Sequence, residues 1–327
     1  MGEYAYAHVP VMAGRISALL LPALTGPTPG GRPPVLIDAT LGRAGHARAF
    51  LEQVPGLLLI GIDADAAAIE AGTTLAGRYP GQVTVAHAFY DHIADIAADA
   101  GHRRVQAVLF DLGVSSPQLD DAGRGFSYSQ DAPLDMRMDQ GGELTAARVV
   151  NEYPVPELSR VLLEYGEERF ARRVAEAIAR ERAREPITST LRLSGIVRDA
   201  IPAATRRTGG NPAKRTFQAL RIEVNDELGA LRRALPAALD LLAPGGRIAA
   251  LAYHSLEDRL VKRELTARTT DKTPPGVPLR PDDAAPGRPG FRLLTRGAER
   301  PDEEELAVNP RSASARLRAV ERLRQAA

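Results

Sequence analysis

The sequence predicts an α/β protein in which a helical domain is inserted into a mostly parallel sheet. Short apolar runs that end in an acid alternate with helical segments in the first third of the chain, which indicates βαβ units. Residues 116–215 show no convincing buried strand, and their apolar residues recur at helical spacing. We therefore expect a sheet domain formed by residues 1–115 and 216–327, with residues 116–215 as an inserted helical domain.

Four strands and two helices are predicted in the first part of the sheet domain. The strands are Val35–Asp38, Leu57–Ile62, Val83–Ala86 and Val105–Phe110. The first helix follows the first strand over His46–Gln53. The second helix runs from Asp65 to Leu75, where an acidic first turn precedes an alanine-rich segment. Because helices connect the strands, neighbouring strands are expected to run parallel.

The same patterns predict the helices and strands of the insertion and of the last third of the chain. Glu167–Glu185 and Thr190–Ile201 carry apolar residues at helical spacing, so each is expected to form a helix. One long helix is then expected to carry Phe217, Leu220, Val224, Leu228 and Leu231 on a single face. Arg247–Tyr253 is the next expected strand, and Phe291–Arg296 is expected to pair with Ala315–Glu321 in a closing hairpin.

Composition excludes several classes of function. The 327 residues include no cysteine, which excludes disulfides, thiolate metal sites and cysteine nucleophiles. A formal net charge of +1 neither supports nor excludes nucleic-acid binding, because a local basic surface matters more than the sum. The N-terminal residues lack the pattern of a signal peptide, and the longest apolar runs are too short to cross a membrane. We expect a cytoplasmic protein that has no membrane partner.

Three acids are predicted to meet at one edge of the sheet. Asp38, Asp63 and Asp111 each follow a strand, and an open parallel sheet binds its ligand beyond the carboxyl ends of the strands. The loop Thr40–His46 contains two glycines, which allow backbone N–H groups to approach a ligand closely. Asp63 can accept hydrogen bonds from both hydroxyls of a ribose. Neither a dinucleotide fingerprint nor a P-loop is present, so an adenosine ligand without a phosphate chain, such as S-adenosylmethionine, fits best.

The densest group of functional side chains follows the fourth strand. It reads DLGVSSPQLD from Asp111, continues with RGFSY from Arg124, and ends with PLDMRMD. These motifs resemble the RsmH (MraW) family of methyltransferases. Further stretches similar to that family occur in the same order along nearly the whole chain: His8–Val11, Asp38–His46, Gly61–Asp65, Tyr165–Ala171, Pro212–Asn225, Pro244–Arg247, His254–Lys262 and Asn309–Arg311.

The resemblance implies a class I S-adenosylmethionine-dependent methyltransferase (Rossmann-like) sheet with an inserted helical domain, residues 116–215, that recognises the substrate. It implies methylation of the exocyclic N4 of the cytosine at position 1402 in 16S ribosomal RNA, the substrate being the RNA within the small ribosomal subunit. The cofactor contacts that it implies fall on Ala44, Gly45, His46, Asp63, Phe89, Asp111 and Gln118. From the residues alone, Phe89 is either a ring that covers adenine or an ordinary core phenylalanine.

Four positions depart from the family pattern. The family usually has glycine where Ala39 and Ala44 stand, histidine at Asn211 and phenylalanine at Tyr253. The methyl group of Ala44 lies in the cofactor loop, so its backbone is expected either to keep a negative φ or to be strained. The change to Asn211 leaves the role of that side chain open.

The catalytic pocket is predicted from the chemistry of an amine methyl transfer. The cytosine amine needs a hydrogen-bond acceptor for one N–H and placement in line with the methyl group, without any metal. The candidates are Asp111, Ser115, Ser116, Pro117 and His254. Asp111 contacts the cofactor, the amine or both, and His254 either faces the pocket or ties down the end of the strand.

Arginine and lysine residues are the predicted RNA contacts. Arg124, Lys214 and Arg215 are candidates to bind phosphates. Asp135 and Arg137 either contact RNA or form an ion pair that stabilises the insertion. Two other functions stay open: an amino-methyltransferase acting on another nucleic acid, and a non-catalytic RNA-binding factor in ribosome assembly. The sequence permits a homo-oligomer without indicating one.

Overall fold

The chain divides into two units. The computed structural model describes residues 10–114, 118–119, 121–203, 211–270 and 290–323. The sheet unit consists of Met1–Gly113 and Ala230–Ala327, and the helical unit consists of Val114–Gly229. The helical unit therefore extends beyond the expected boundary at residue 215, because the helix Ala213–Asn225 packs with the other helices of that unit.

The sheet unit contains a seven-stranded sheet with the order β3-β2-β1-β4-β5-β7-β6. The strands are β1 (Val35–Asp38), β2 (Leu58–Asp63), β3 (Val83–His87), β4 (Val105–Asp111), β5 (Leu242–Ala252), β6 (Phe291–Leu293) and β7 (Arg316–Arg322). β1 to β5 are parallel, and β7 pairs antiparallel with both β5 and β6. The predicted α/β class, the four early strands and the pairing of the two closing segments are confirmed.

Seven helices accompany the sheet among the described residues. They are α1 (Ala13–Leu24), α2 (Gly45–Gln53), α3 (Ala66–Arg78), α4 (Ile93–Asp99), α10 (Glu227–Leu241, of which residues 230–241 belong to this unit), α11 (Ser255–Thr269) and α12 (Glu303–Val308). Two clusters of buried apolar side chains pack against the sheet, one containing Ile37 and Ile62 and the other Leu36 and Leu59. Neighbouring residues of one strand thus lie in different clusters, which explains why these strands are continuously apolar.

The helical unit contains no regular strand in the part of the chain that the structure describes. Its helices are α5 (Ala146–Glu152), α6 (Val155–Glu164), α7 (Ala171–Arg182), α8 (Thr190–Ala200) and α9 (Ala213–Asn225). Their apolar faces form a third buried cluster that includes Val161, Val174 and Leu220. No helix among the described residues has both the length and the apolar character that a membrane span requires.

The prediction of one long helix after the insertion is wrong. The segment forms two helices, α9 and α10 (Glu227–Leu241), which are separated at Asp226. Asp226 adopts the left-handed conformation (φ 47°, ψ 36°), and its amide donates to carbonyls at the end of α9. Aspartate tolerates this conformation better than most residues. The apolar spacing continues across the break, and for this reason the pattern did not indicate it.

Candidate functional site

Three carboxylates end neighbouring strands of the sheet unit. Asp38 ends β1, Asp63 ends β2 and Asp111 ends β4. The connections reverse direction between β1 and β4, which is the position where open parallel sheets bind ligands. Burial raises the pKa of Asp38 well above its ordinary value, and the charges of Asp111 and Asp63 also raise it. The charges of Asp63 and Asp111 thus both act on Asp38, and we treat the three strand ends as one candidate site.

Asp63 joins the ends of the first two strands. Its Oδ2 accepts the amide of Gly42 at 2.9 Å, and its Oδ1 accepts the amide of Asp65 at 2.9 Å. Burial raises the pKa of Asp63, although these two amides oppose the effect. Each carboxylate oxygen has two lone pairs, so both oxygens retain the capacity to accept a ligand hydroxyl.

The loop after β1 is held in a strained shape. Ala44 adopts the left-handed conformation (φ 57°, ψ 26°), so of the two expectations for this residue the strained one is met. Such a conformation costs a residue with a Cβ about 1–2 kcal/mol. Gly45 begins α2, and a Cβ built on it would lie only 2.7 Å from Cγ of Pro10. The close approach of Pro10 therefore requires glycine at this position.

Asp111 is held by side chains from two other segments of the sheet unit. Its Oδ1 accepts the hydroxyl of Tyr253 at 2.8 Å, and its Oδ2 lies 3.7 Å from Nε2 of His46. Its backbone amide donates to Oγ1 of Thr40 at 2.7 Å, which ties β4 to the loop after β1. Burial raises the pKa of Asp111 to about 7, the Tyr253 hydroxyl opposes this, and the charge of Glu257 adds to it. Asp111 thus changes charge near neutral pH.

His254 caps a helix. Its Nδ1 accepts the amide of Glu257 at 3.4 Å, and the Glu257 carboxylate accepts the amides of Tyr253 and His254. This reciprocal arrangement is a capping box at the start of α11. It fixes the carboxyl end of β5, which carries Tyr253 toward Asp111. A catalytic role for His254 stays a prediction.

The other predicted contacts of the sheet unit lie near these strand ends. His46 is 7% exposed and belongs to the first turn of α2. Phe89 follows β3, is half-buried and belongs to neither apolar cluster of the sheet unit among the described residues. That placement argues against an ordinary core phenylalanine. The predicted catalytic residues Ser115, Ser116 and Pro117 lie outside the described residues.

Two of the predicted residues of the helical unit are buried. Gln118 is 5% exposed, and its contact with the cofactor stays a prediction. Arg124 is 9% exposed and donates from Nη2 to the carbonyls of Arg137 and Met138. Because its guanidinium binds the protein itself, it stabilises the 135–139 segment.

The segment after Arg124 is fixed by an ion pair and an amide side chain. Nη2 of Arg137 lies 2.7 Å from Oδ2 of Asp135, and this hydrogen bond lowers the pKa of Asp135. Asn225 donates to the carbonyl of Met136 at 2.8 Å and accepts the amide of Met138 at 2.7 Å. The geometry thus matches the ion-pair alternative for Asp135 and Arg137.

The remaining RNA candidates begin α9. Arg215 is exposed and donates to the carbonyl of Glu167 at 3.0 Å, while Lys214 is exposed and forms no ion pair with any described residue. Asn211, the other departure from the family pattern, accepts the amide of Ala213 at 2.9 Å. Asn211 therefore supports the helix whose first turn carries both cations.

Sequence reasoning missed Thr40, Asn225 and the hydrogen bond from Tyr253 to Asp111. Thr40 stands in the glycine loop and Asn225 ends the Pro212–Asn225 stretch, so both were inside recognised segments. The contact between Tyr253 and Asp111 joins residues that are 142 positions apart. The exchange of the usual phenylalanine for a hydroxyl-bearing ring was the only signal for it.

The chain is similar to known methyltransferases over nearly its whole length. A family model described as the MraW methylase family matches residues 5–323. The chain is 57% identical to Ribosomal RNA small subunit methyltransferase H of Thermobifida fusca, with 99% of this chain and 96% of that protein covered. It is 56% identical to the protein of the same name from Salinispora tropica, with coverages of 99% and 86%. A solved rRNA methylase from Streptococcus thermophilus matches with a TM-score of 0.38 and 11% identity, over 89% of this chain and 87% of that one.

Proposed function

The chain belongs to the MraW methylase family, and on that premise we propose that it is an S-adenosylmethionine-dependent methyltransferase of small-subunit ribosomal RNA. We propose further that the methyl acceptor is N4 of a cytosine, at position 1402 of 16S ribosomal RNA. The proposed substrate is this RNA within the small subunit. The enzyme is expected to act in the cytoplasm, where that RNA is found. The relatives that are 52–57% identical carry the name of such an enzyme, and this supports the proposal.

One observation carries the proposal: three carboxylates, Asp38 buried and Asp63 and Asp111 half-buried, meet at the ligand edge without a lysine or arginine partner among the described residues. Asp38, Asp63 and Asp111 form no ion pair with any lysine or arginine of the described residues. Buried charges are costly unless they are compensated, so this site favours a positively charged ligand. S-adenosylmethionine fits this site in two ways. Its sulfonium group supplies the positive charge, and its ribose supplies hydroxyls that the carboxylates can bind.

The residues present fit this cofactor. Asp63 offers two acceptor oxygens to ribose hydroxyls, and the turn through Ala44 and Gly45 brings the first amides of α2 to the sheet edge, where a carboxylate can bind them. Phe89 offers a half-buried ring to an adenine. The cofactor supplies an electrophilic methyl group.

Asp111 is the group best suited to the amine of the cytosine. With a pKa of about 7 it accepts a hydrogen bond as a carboxylate and can take up a proton near neutral pH. Accepting one N–H increases the electron density on the nitrogen, whose lone pair is otherwise delocalised into the ring. Tyr253 binds Oδ1 of Asp111, so we assign this task to Oδ2, which lies 3.7 Å from Nε2 of His46.

The experiment combines product mapping with cofactor binding. Purified protein is incubated with labelled S-adenosylmethionine and undermodified small subunits, and mass spectrometry locates the methyl group. Calorimetry then compares Asp63→Ala with Asp65→Ala, since the Asp65 carboxylate accepts the amide of Ala67 at the start of α3. We expect Asp63→Ala to lose cofactor binding and Asp65→Ala to keep it.

Each alternative function predicts a different result. A methyl group found only on another nucleic acid would replace the ribosomal substrate. Absence of any cofactor binding by the wild-type protein would favour a non-catalytic RNA-binding assembly factor. Equal cofactor affinity in Asp63→Ala and the wild type would remove Asp63 from the site.

A further inference from the structure

A cavity of about 260 Å³ lies in the sheet unit, away from the three carboxylates. It opens between the middle of α11 and the β6–β7 pair, and its lining includes Lys262, Arg296 and Arg318. No acidic residue of the described part of the chain lines it. Lys262 follows the first residue of α11 by seven positions, which corresponds to roughly 10 Å along the helix. The cavity is therefore separate from the edge where β5 ends.

The positive charge of this cavity exceeds the negative charge that the described residues place beside it. Lys262 and Arg296 are exposed and form no ion pair with any residue that the structure describes. Arg318 binds Oδ1 of Asp258 at 2.7 Å, but Arg316 binds the same carboxylate at 3.2 Å. One carboxylate thus serves two guanidinium groups, and a net positive charge remains around the cavity.

Hydroxyl groups complete the polar lining. Thr295 is 2% exposed, and its Oγ1 accepts the amide of Ala319 at 3.3 Å. Its hydroxyl hydrogen has no acceptor among the described residues, so a buried donor is available at the cavity. Thr266 adds a second hydroxyl from α11. Cations together with hydroxyl donors are the groups that bind phosphate oxygens in proteins.

The size and the apolar part of the lining indicate what accompanies the phosphate. A volume of about 260 Å³ exceeds what a single phosphate group fills. Leu265 and Leu293 contribute an apolar wall, and Leu293 is 53% exposed. A sugar packs well against such a wall while its phosphate meets the cations. These features fit a nucleotide unit better than an inorganic anion.

We propose that this cavity binds a backbone phosphate of the RNA substrate together with its ribose, as an anchoring site distinct from the methyl-transfer site. The RNA part of the inference rests on the proposed function, whereas the phosphate chemistry does not. The site holds one nucleotide of the strand while another nucleotide occupies the carboxylate edge.

The test compares two double variants that remove the same charge. Lys262→Gln with Arg296→Gln alters the cavity. Arg78→Gln with Arg103→Gln is the control, because both arginines are exposed and form no ion pair with a described residue. Calorimetry with S-adenosylmethionine checks that each protein retains its sheet edge. Fluorescence anisotropy then measures the binding of a labelled small-subunit RNA fragment at several salt concentrations.

The cavity variant is expected to reduce the slope of log K against log salt by about 0.7, the value for one phosphate contact with single-stranded RNA. If that contribution vanishes at 1 M salt, the affinity at 0.05 M falls about eightfold. The control should change the slope much less. Equal slopes in the two double variants would overturn the RNA anchoring site.

A second measurement separates the possible sources of the phosphate. Cytidine 5′-monophosphate and inorganic phosphate are titrated into the wild type and the cavity variant. If the wild type binds the nucleotide weakly and the cavity variant does not bind it, the proposed phosphate site is supported. If the variant loses this binding but keeps the RNA slope, the cavity serves a free nucleotide and the RNA assignment fails. Failure of the wild type to methylate any RNA would refute the proposed function and leave the nucleotide titration interpretable.

Discussion

Replacing Asp111 by asparagine should make the protein more stable at alkaline pH while it abolishes methyl transfer. Burial raises the pKa of Asp111 from 3.8 to about 7. Above pH 7 the folded protein therefore holds a buried carboxylate that the unfolded chain would expose to water. A shift of about three units corresponds to roughly 4 kcal/mol, since one unit is about 1.4 kcal/mol.

The sign of the effect follows from proton binding. Between pH 4 and pH 7 the folded state binds a proton at Asp111 and the unfolded state does not, so stability falls as the pH rises. Asparagine does not titrate and keeps an acceptor oxygen for the Tyr253 hydroxyl. The advantage of the variant should thus be small near pH 4 and approach about 4 kcal/mol above pH 7.

Urea unfolding at pH 5, 6.5 and 8 measures this difference. Asp258→Asn is the control of opposite sign: burial alone would raise the pKa of Asp258, but the hydrogen bond and charge of Arg318, with those of Arg316, lower it. The Asp258 carboxylate stabilises the fold above its unfolded pKa, so its variant should be less stable than the wild type at pH 8. Finding Asp111→Asn less stable than the wild type at pH 8 would refute the reasoning.

Three further changes have defined outcomes. Tyr253→Phe removes the hydroxyl that lowers the pKa of Asp111, so the pH profile of methylation should move up by about one unit; an unmoved profile would mean that Asp111 does not set it. Asn225→Ala leaves two backbone groups without their partner and should cost about 2–3 kcal/mol in urea unfolding, which a loss below 0.5 kcal/mol would contradict. Lys214→Ala with Arg215→Ala should weaken RNA binding and reduce its salt dependence, and an unchanged slope would remove both from the interface.

β1, β2 and β4 were predictable because they are buried on both faces and form nearly continuous apolar runs with clear limits. Each predicted early strand, including the less buried β3, agrees with the observed one to within a residue at either end. β5 is longer than expected: it begins at Leu242 and includes the glycine pair at 245 and 246. The register between β4 and β5 shifts near Val105, so the expected turn is an irregularity inside the strand.

Other features were not predictable from local patterns. The break at Asp226 depends on one residue with positive φ within an uninterrupted apolar repeat. The pKa of Asp111 depends on burial and on Tyr253, which reaches it through the parallel pairing of β4 with β5. The sequence shows that an alanine stands where the family usually has glycine, but only the structure shows that Ala44 adopts the left-handed conformation. These properties depend on the backbone conformation of single residues and on contacts between residues that are far apart in the sequence.

The position of the last strands has a consequence for biosynthesis. β5 and β7 come from the final third of the chain, yet β5 pairs with β4 along Ala107–Asp111. A nascent chain that has emerged only to residue 229 therefore exposes one side of β4 as an open hydrogen-bonding edge, a feature that invites aggregation. Long-range pairing of this kind also slows folding. Tyr253 cannot meet Asp111 before synthesis has passed residue 253, so the hydrogen bond between these two side chains forms only after β5 has joined the sheet.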